Sequence, residues 1–170
     1  FYLERGKAKQ KNGDYKGALK DFNNALKLNP DKKFLFYRAN AKFDFGDYDG
    51  AIKDYKNLIS MKDFKEQVFY NLASSQLINF NYEDSIVNYS KSIEYDHNDD
   101  YAYLNRGNAK FKIMDYLGSS ADYSKSIKIN KNSYIAFNNR GVTKFKLSQY
   151  EAALKDFEIK NLRSHIALVS

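Results

Sequence analysis

Cysteine and tryptophan are absent from the chain, and proline occurs once, at Pro30. Without cysteine there can be no disulfide and no thiolate metal site. The absence sets no compartment. The two histidines, His97 and His165, have no triad or metal-ligand spacing around them. No Gly-rich phosphate loop occurs. Paired acids such as Glu83-Asp84 and Asp99-Asp100 fall at helix starts, where capping and the helix dipole account for them. The sequence therefore leads us to expect no catalytic residue, no metal and no cofactor, and not an enzyme. No run of 18 apolar residues occurs, so no membrane-spanning helix is expected. No signal-peptide pattern opens the chain. Phe1 falls inside a helical pattern, and the chain is expected to be a piece of a longer protein.

What is present is aromatic, basic and periodic. Phe and Tyr make up 16% of the 170 residues, and the net charge is +7. That charge is uneven: +5 over residues 1–33, +1 over 34–65, −5 over 66–99, and +3 over each of 100–133 and 134–170. A track for a phosphate backbone would not be broken by an acidic middle, so a nucleic-acid partner is not expected.

The phrase Gly13-Asp14-Tyr15-Lys16-Gly17-Ala18-Leu19-Lys20-Asp21-Phe22 returns at Gly46 to Tyr55. Looser copies bring Tyr82, Tyr116 and Tyr150 into step with Tyr15 and Tyr48, at spacings of 33, 34, 34 and 34. A fixed period of this size denotes a repeat architecture. Each copy predicts two helices. In the first, Tyr2 to Asn12 and Lys16 to Leu28 are helical, Gly13 suits a left-handed helix end and Asp14 caps the next helix. Asn29-Pro30 stops the second helix. The equivalent turns use Lys62-Asp63, Asp96-His97 and Asn130-Lys131.

Small residues recur in register: Gly6, Ala39, Ala73, Gly107 and Gly141, then Ala18, Ala51, Ser85, Ser119 and Ala153. Large residues face them: Phe22, Tyr55, Tyr89, Tyr123 and Phe157, and the tyrosine row. Large-into-small interlocking is how antiparallel helices pack, so both aromatic rows are expected in the core.

On these rows the chain resembles the tetratricopeptide repeat family over roughly residues 1–157. The family's early tryptophan is replaced by Tyr2, Leu35, Phe69, Tyr103 and Phe137. The resemblance implies an all-α fold, a right-handed α-solenoid or superhelix of antiparallel helix pairs with a concave groove lined by the first helix of each pair. The expected organisation is one array over 1–170, with repeats at 1–31, 32–65, 66–99, 100–133 and 134–157. An atypical C-terminal helix over 158–170 follows, where Ile159, Leu162, Ile166 and Val169 form an apolar face.

Arg5, Arg38, Arg106 and Arg140 stand beside the small row, where an unpaired guanidinium would be costly. The second helices offer Asp21, Asp54, Asp122 and Asp156. In the third repeat both disappear together, replaced by Leu72 and Asn88. This coincidence predicts one Arg–Asp pair within each of the other four repeats. Lys9, Lys42, Lys110 and Lys144 lie one turn after the arginines, with Gln76 in the odd repeat. They read as solvated stems at the groove edge or as a basic stripe for a ligand.

The residue before each arginine position reads Glu4, Tyr37, Asn71, Asn105 and Asn139. In tetratricopeptide proteins this row faces the groove, and an amide matches a peptide unit as donor and acceptor. The expected peptide-binding residues are Tyr37, Asn40, Tyr70, Asn71, Tyr101, Asn105, Asn108, Lys112, Asn139 and Lys146. Phe36, Leu104, Asn138 and Phe145 are expected beside them. A chaperone-type carboxylate clamp is not expected, because its positions fall on Leu3, Lys7, Tyr37, Gln67 and Asn71. The resemblance thus implies a protein-interaction module with a protein or peptide partner. The alternatives are a structural or self-associating scaffold, with association through the C-terminal tail, and a regulatory repeat region of a larger enzyme.

Overall fold

The computed structural model describes the backbone of residues 1–61 and 65–166 and the side chains of residues 1–61 and 67–158. Among the described residues the chain is all-α. First helices are α1 (Tyr2–Lys11), α3 (Lys32–Phe45), α5 (Lys65–Ile78), α7 (Asp100–Lys112) and α9 (Tyr134–Lys146). Second helices are α2 (Tyr15–Leu28), α4 (Tyr48–Ser60), α6 (Tyr82–Tyr95), α8 (Tyr116–Ile129) and α10 (Tyr150–Ile166). The chain forms two compact units, Phe1–Asn88 and Tyr89–Ser170.

Local chemistry explains the helix ends. Asp14, Asp47 and Asp115 cap α2, α4 and α8 by accepting from the backbone N–H of Gly17, Gly50 and Gly118, each at 2.9 Å. The turn before each second helix needs a residue in the left-handed region. Gly13 and Gly46 fill it at φ +79° and +89°, whereas Phe80, Met114 and Ser148 adopt φ of 60 to 63° despite their side chains. The Lys62-Asp63 turn lies outside the described residues.

Within each unit the small row meets the large one. A Cβ built on Gly6 would lie 2.6 Å from the Phe22 ring, and one on Gly141 2.5 Å from Phe157. Phe22, Tyr55, Tyr89 and Tyr123 are buried, and Leu35, Tyr55, Leu58, Val68 and Leu72 share one apolar cluster of the first unit. The other tyrosine row is not core. Tyr15, Tyr48, Tyr82 and Tyr116 are half-buried and Tyr150 is exposed. Their rings begin the second helices and meet Phe43, Phe111 and Phe145 edge-on, at 5.6, 5.3 and 5.3 Å for Tyr48, Tyr116 and Tyr150. They close the turn and leave the interior to the Phe22–Tyr55 row. Helix α10 runs without a break from the fifth repeat to Ile166. The tail face of Ile159, Leu162, Ile166 and Val169 lies outside the described side chains.

Candidate functional site

Behind the candidate binding faces stand four charge locks. Nε and Nη2 of Arg5, Arg38, Arg106 and Arg140 donate to both carboxylate oxygens of Asp21, Asp54, Asp122 and Asp156 at 2.6 to 2.9 Å. The forked geometry is that of bidentate guanidinium–carboxylate pairing, as the sequence predicted. The lysine row is neither solvated stem nor ligand stripe. Nζ of Lys9, Lys42, Lys110 and Lys144 closes on the same carboxylates at 2.8 to 2.9 Å. Each buried aspartate, with a side chain at most 5% exposed, therefore carries two cations. The forked arginine and the lysine together offset the cost of its desolvation. Hydrogen bonds from Arg5 and then Lys9 hold the Asp21 carboxyl down at about 2, against the burial that would raise it. At Asp156 burial pushes upward, and Arg140 and Lys144 outweigh it to leave the group lowered.

The third repeat replaces the lock with neutral groups. Leu72 is 2% exposed in the arginine's place, and the Asn88 amide donates to Gln76 Oε1 at 2.8 Å in place of the aspartate–lysine contact.

In the first unit, side chains of the first helices meet across a cavity. Asn71 Nδ2 donates to Asn40 Oδ1 at 3.2 Å, and the Tyr55 hydroxyl donates to the same oxygen at 2.5 Å. Burial pushes the Tyr55 hydroxyl's pKa upward, which keeps it a donor. Asn40, Tyr55, Tyr70 and Asn71, with Gln10, Phe43, Asp44 and Ser74, line a cavity of about 450 Å³. A shallower hollow of about 650 Å³ adjoins it through Gln10, Asn40 and Asp44 and is bounded by Glu4, Lys7, Lys11 and Tyr37. Tyr37 is half committed to packing: its ring stacks on Phe22 at 6.0 Å and carries the Lys7 ammonium at 4.5 Å.

The second unit repeats the amide geometry. Asn139 Nδ2 donates to Asn108 Oδ1 at 3.0 Å, and the Tyr123 hydroxyl donates to it at 2.8 Å. The Asn108 amide donates in turn to Asn105 Oδ1 at 3.3 Å. Burial raises the Tyr123 hydroxyl to about 12, which keeps it a donor. Tyr101, Lys112, Phe145 and Lys146 are exposed.

Expected and observed positions differ in two ways. Phe36 and Leu104 are buried in the apolar clusters of their units and offer no binding surface. Gln10, Phe43, Asp44 and Ser74 line cavities and were missing from the expected set. Gln10-Lys11 and Phe43-Asp44 are the register counterparts of Phe145-Lys146, so extending that row backward would have found three of them. The Gln10 amide donates to Asp44 at 2.6 Å across α1 and α3. Among the described residues no group of acidic, His or Cys side chains could hold a metal ion, and no helix is long and apolar enough to cross a membrane.

These paired helices, small-into-large rows and first-helix faces define a repeat-built interaction scaffold. The chain belongs to the tetratricopeptide repeat family. "Tetratricopeptide repeat" matches residues 3–65 and "TPR repeat" residues 81–113, together more than half of the chain. By sequence, no curated protein matches. Among solved structures, a crystal structure of MamA superposes with a TM-score of 0.92 at 19% identity, covering 97% of each chain. MamA 41-end from Desulfovibrio magneticus RS-1 gives 0.92 at 14% identity, covering 96% of this chain and 93% of its own. YrrB, described as a TPR protein with an unusual peptide-binding site, gives 0.82 at 16% identity, over 94% and 82%. The likeness at these identities is one of fold.

Proposed function

We propose that this chain is a non-catalytic interaction module that holds an extended or helical peptide against the first helices of its units. The observation that carries the reading is the twice-built relay, Asn71–Asn40–Tyr55 and Asn139–Asn108–Tyr123. Each relay fixes an asparagine amide at a half-buried face, and a peptide unit needs a fixed donor and acceptor of that kind. In the first unit the fixed amide borders a cavity of about 450 Å³ that holds Tyr70 and Phe43, a size that suits one anchoring side chain. Aromatic and apolar surface mixed with amides suits peptide capture. YrrB's described peptide-binding site supports the same use of this fold.

The test is peptide-display selection on the immobilised chain, followed by fluorescence polarisation with the selected peptides. Asn71, Asn105 and Asn139 changed together to Ala should weaken binding at least about tenfold, with helix content retained. Undiminished binding by the triple variant would refute the reading. So would selection of peptides that bind equally well when Tyr70→Ala enlarges the cavity.

A further inference from the structure

Among the residues that line the first unit's cavity, Asp44 is the one that carries charge. It differs from the lock aspartates. Each of those holds two cations, whereas among the described residues Asp44 accepts only from the neutral Gln10 amide, at 2.6 Å. Asp44 is also exposed, and so open to an incoming group. Donors around the cavity are turned inward. The Tyr55 hydroxyl is spent on Asn40, the Ser74 hydroxyl on the Tyr70 carbonyl at 3.0 Å, and one N–H each of Gln10 and Asn71 on Asp44 and Asn40. What stays on offer is weighted to acceptors, above all the carboxylate and the Asn71 side-chain oxygen. Phe43 and Tyr70 bring aromatic rings to the same cavity.

The acid occurs once in its register row, which reads Lys11, Asp44, Ile78, Lys112 and Lys146. Asp44 stands one helical turn after Asn40, on the same face, and Lys112 stands one turn after Asn108. Tyr70 likewise gives way to Asn138. The relay of asparagines and tyrosine is therefore built twice, once with an anion and an aromatic ring beside it and once with a cation and an amide.

We infer that the first unit's cavity selects a basic residue, Lys or Arg, of the bound peptide, with its cationic head against Asp44 and its stem along Phe43 and Tyr70. The inference rests on the peptide-binding reading above and adds the chemistry of the anchoring side chain. Lysine and arginine side chains donate and do not accept, which complements a lining weighted to acceptors. Their apolar stems pack on aromatic rings, and their cations are attracted to the ring faces. The second unit, with Lys112 at the matching position, does not share this preference.

Arrays of short peptides with randomised flanks and a central Lys, Arg, Gln or Glu test the inference on the 170-residue chain. The parent should capture Lys- and Arg-centred peptides above Gln-centred ones. The net charge of +7 would by itself favour acidic peptides, so such a preference comes from a local site. Asp44→Lys writes the second unit's residue into the first. By fluorescence polarisation it should weaken the best Lys- or Arg-centred peptide at least about tenfold. Asp44→Asn keeps an acceptor for Gln10, removes only the charge and should cost about threefold. Glu94→Lys, the same change at an exposed position of α6, should leave the preference intact. Circular dichroism checks each fold, and Asp44→Asn decides if Asp44→Lys does not fold. Lys- and Arg-centred peptides captured no better than Gln-centred ones overturn the inference. So does a preference that survives the Asp44 variants, or one that Glu94→Lys abolishes equally. If the captured peptides are still lost when Asn71, Asn105 and Asn139 are changed together to Ala, the peptide-binding reading stands without it. An array on which the parent captures nothing overturns both.

Discussion

Replacing Asp54 with asparagine leaves Arg38 and Lys42 facing a neutral amide. Their side chains keep 23 and 19% exposure, so water reaches both cations. That places the cost at the low end of the about 3–5 kcal/mol for breaking a buried ion pair, about 3 kcal/mol. For a chain of this length the midpoint temperature should fall by about 6–12 °C. The chain itself contains the compensated alternative. Arg38→Leu, Lys42→Gln and Asp54→Asn together write the third repeat's Leu72, Gln76 and Asn88 into the second. In the third repeat those residues are buried, or hydrogen-bonded as Asn88 to Gln76. The triple variant should therefore lie within about 1 kcal/mol of the parent, because replacing a whole buried ion group can be neutral. Urea unfolding followed by circular dichroism measures both, with hydrogen exchange in α3 and α4 locating the loss. A triple variant as unstable as Asp54→Asn, or an Asp54→Asn variant without loss, would refute the reasoning.

Other expectations follow from the same geometry. Asp21 titrates near 2 in the folded chain, below its ordinary value of 3.8. Its contribution is therefore complete above about pH 4 and is lost as pH falls toward 2, so Asp21→Asn should flatten the acid limb of a stability–pH curve. Met114 holds a left-handed backbone at φ 63°, so Met114→Gly should raise stability in urea unfolding by about 0.5–1 kcal/mol. Tyr123→Phe removes a buried donor to Asn108 and should cost about 1 kcal/mol in the same measurement.

The locks were legible because the third repeat deletes both partners at once. A substitution that removes a cation and its carboxylate in register is an internal record of contact. The lysine's part was equally written, in Gln76, but a one-turn spacing says only that two cations share a face. It does not say that both turn onto one carboxylate. The tyrosine row misled for a related reason: period fixes register and leaves depth open, and Tyr15 begins its helix while Phe22 lies two turns further into the contact. Phe36 and Leu104 were misplaced because a first helix buries more than one stripe when a neighbour lies on each side. The asparagine face was legible in position. Its internal bonding was not, since the choice between Asn40 and an outside partner rests on side-chain rotamers and on the reach of Tyr55 from another helix.

One joint differs from those in which Nη1 of Arg38, Arg106 and Arg140 donates to Asn23, Ser90 and Ser124 on the preceding second helix, at 2.9, 2.9 and 3.1 Å. Between α4 and α5, Leu72 replaces the guanidinium that elsewhere bolts a first helix to the second helix before it. Apolar attraction has no direction, and the directional tie here is instead the Asn79 amide, just after α5, donating to Asp49 of α4 at 2.8 Å. Tyr70, Asn71 and Ser74, on α5, form one wall of the cavity of about 450 Å³; Gln10, Asn40, Phe43, Asp44 and Tyr55 form the other. The Asn71–Asn40 hydrogen bond is the catch between the two walls.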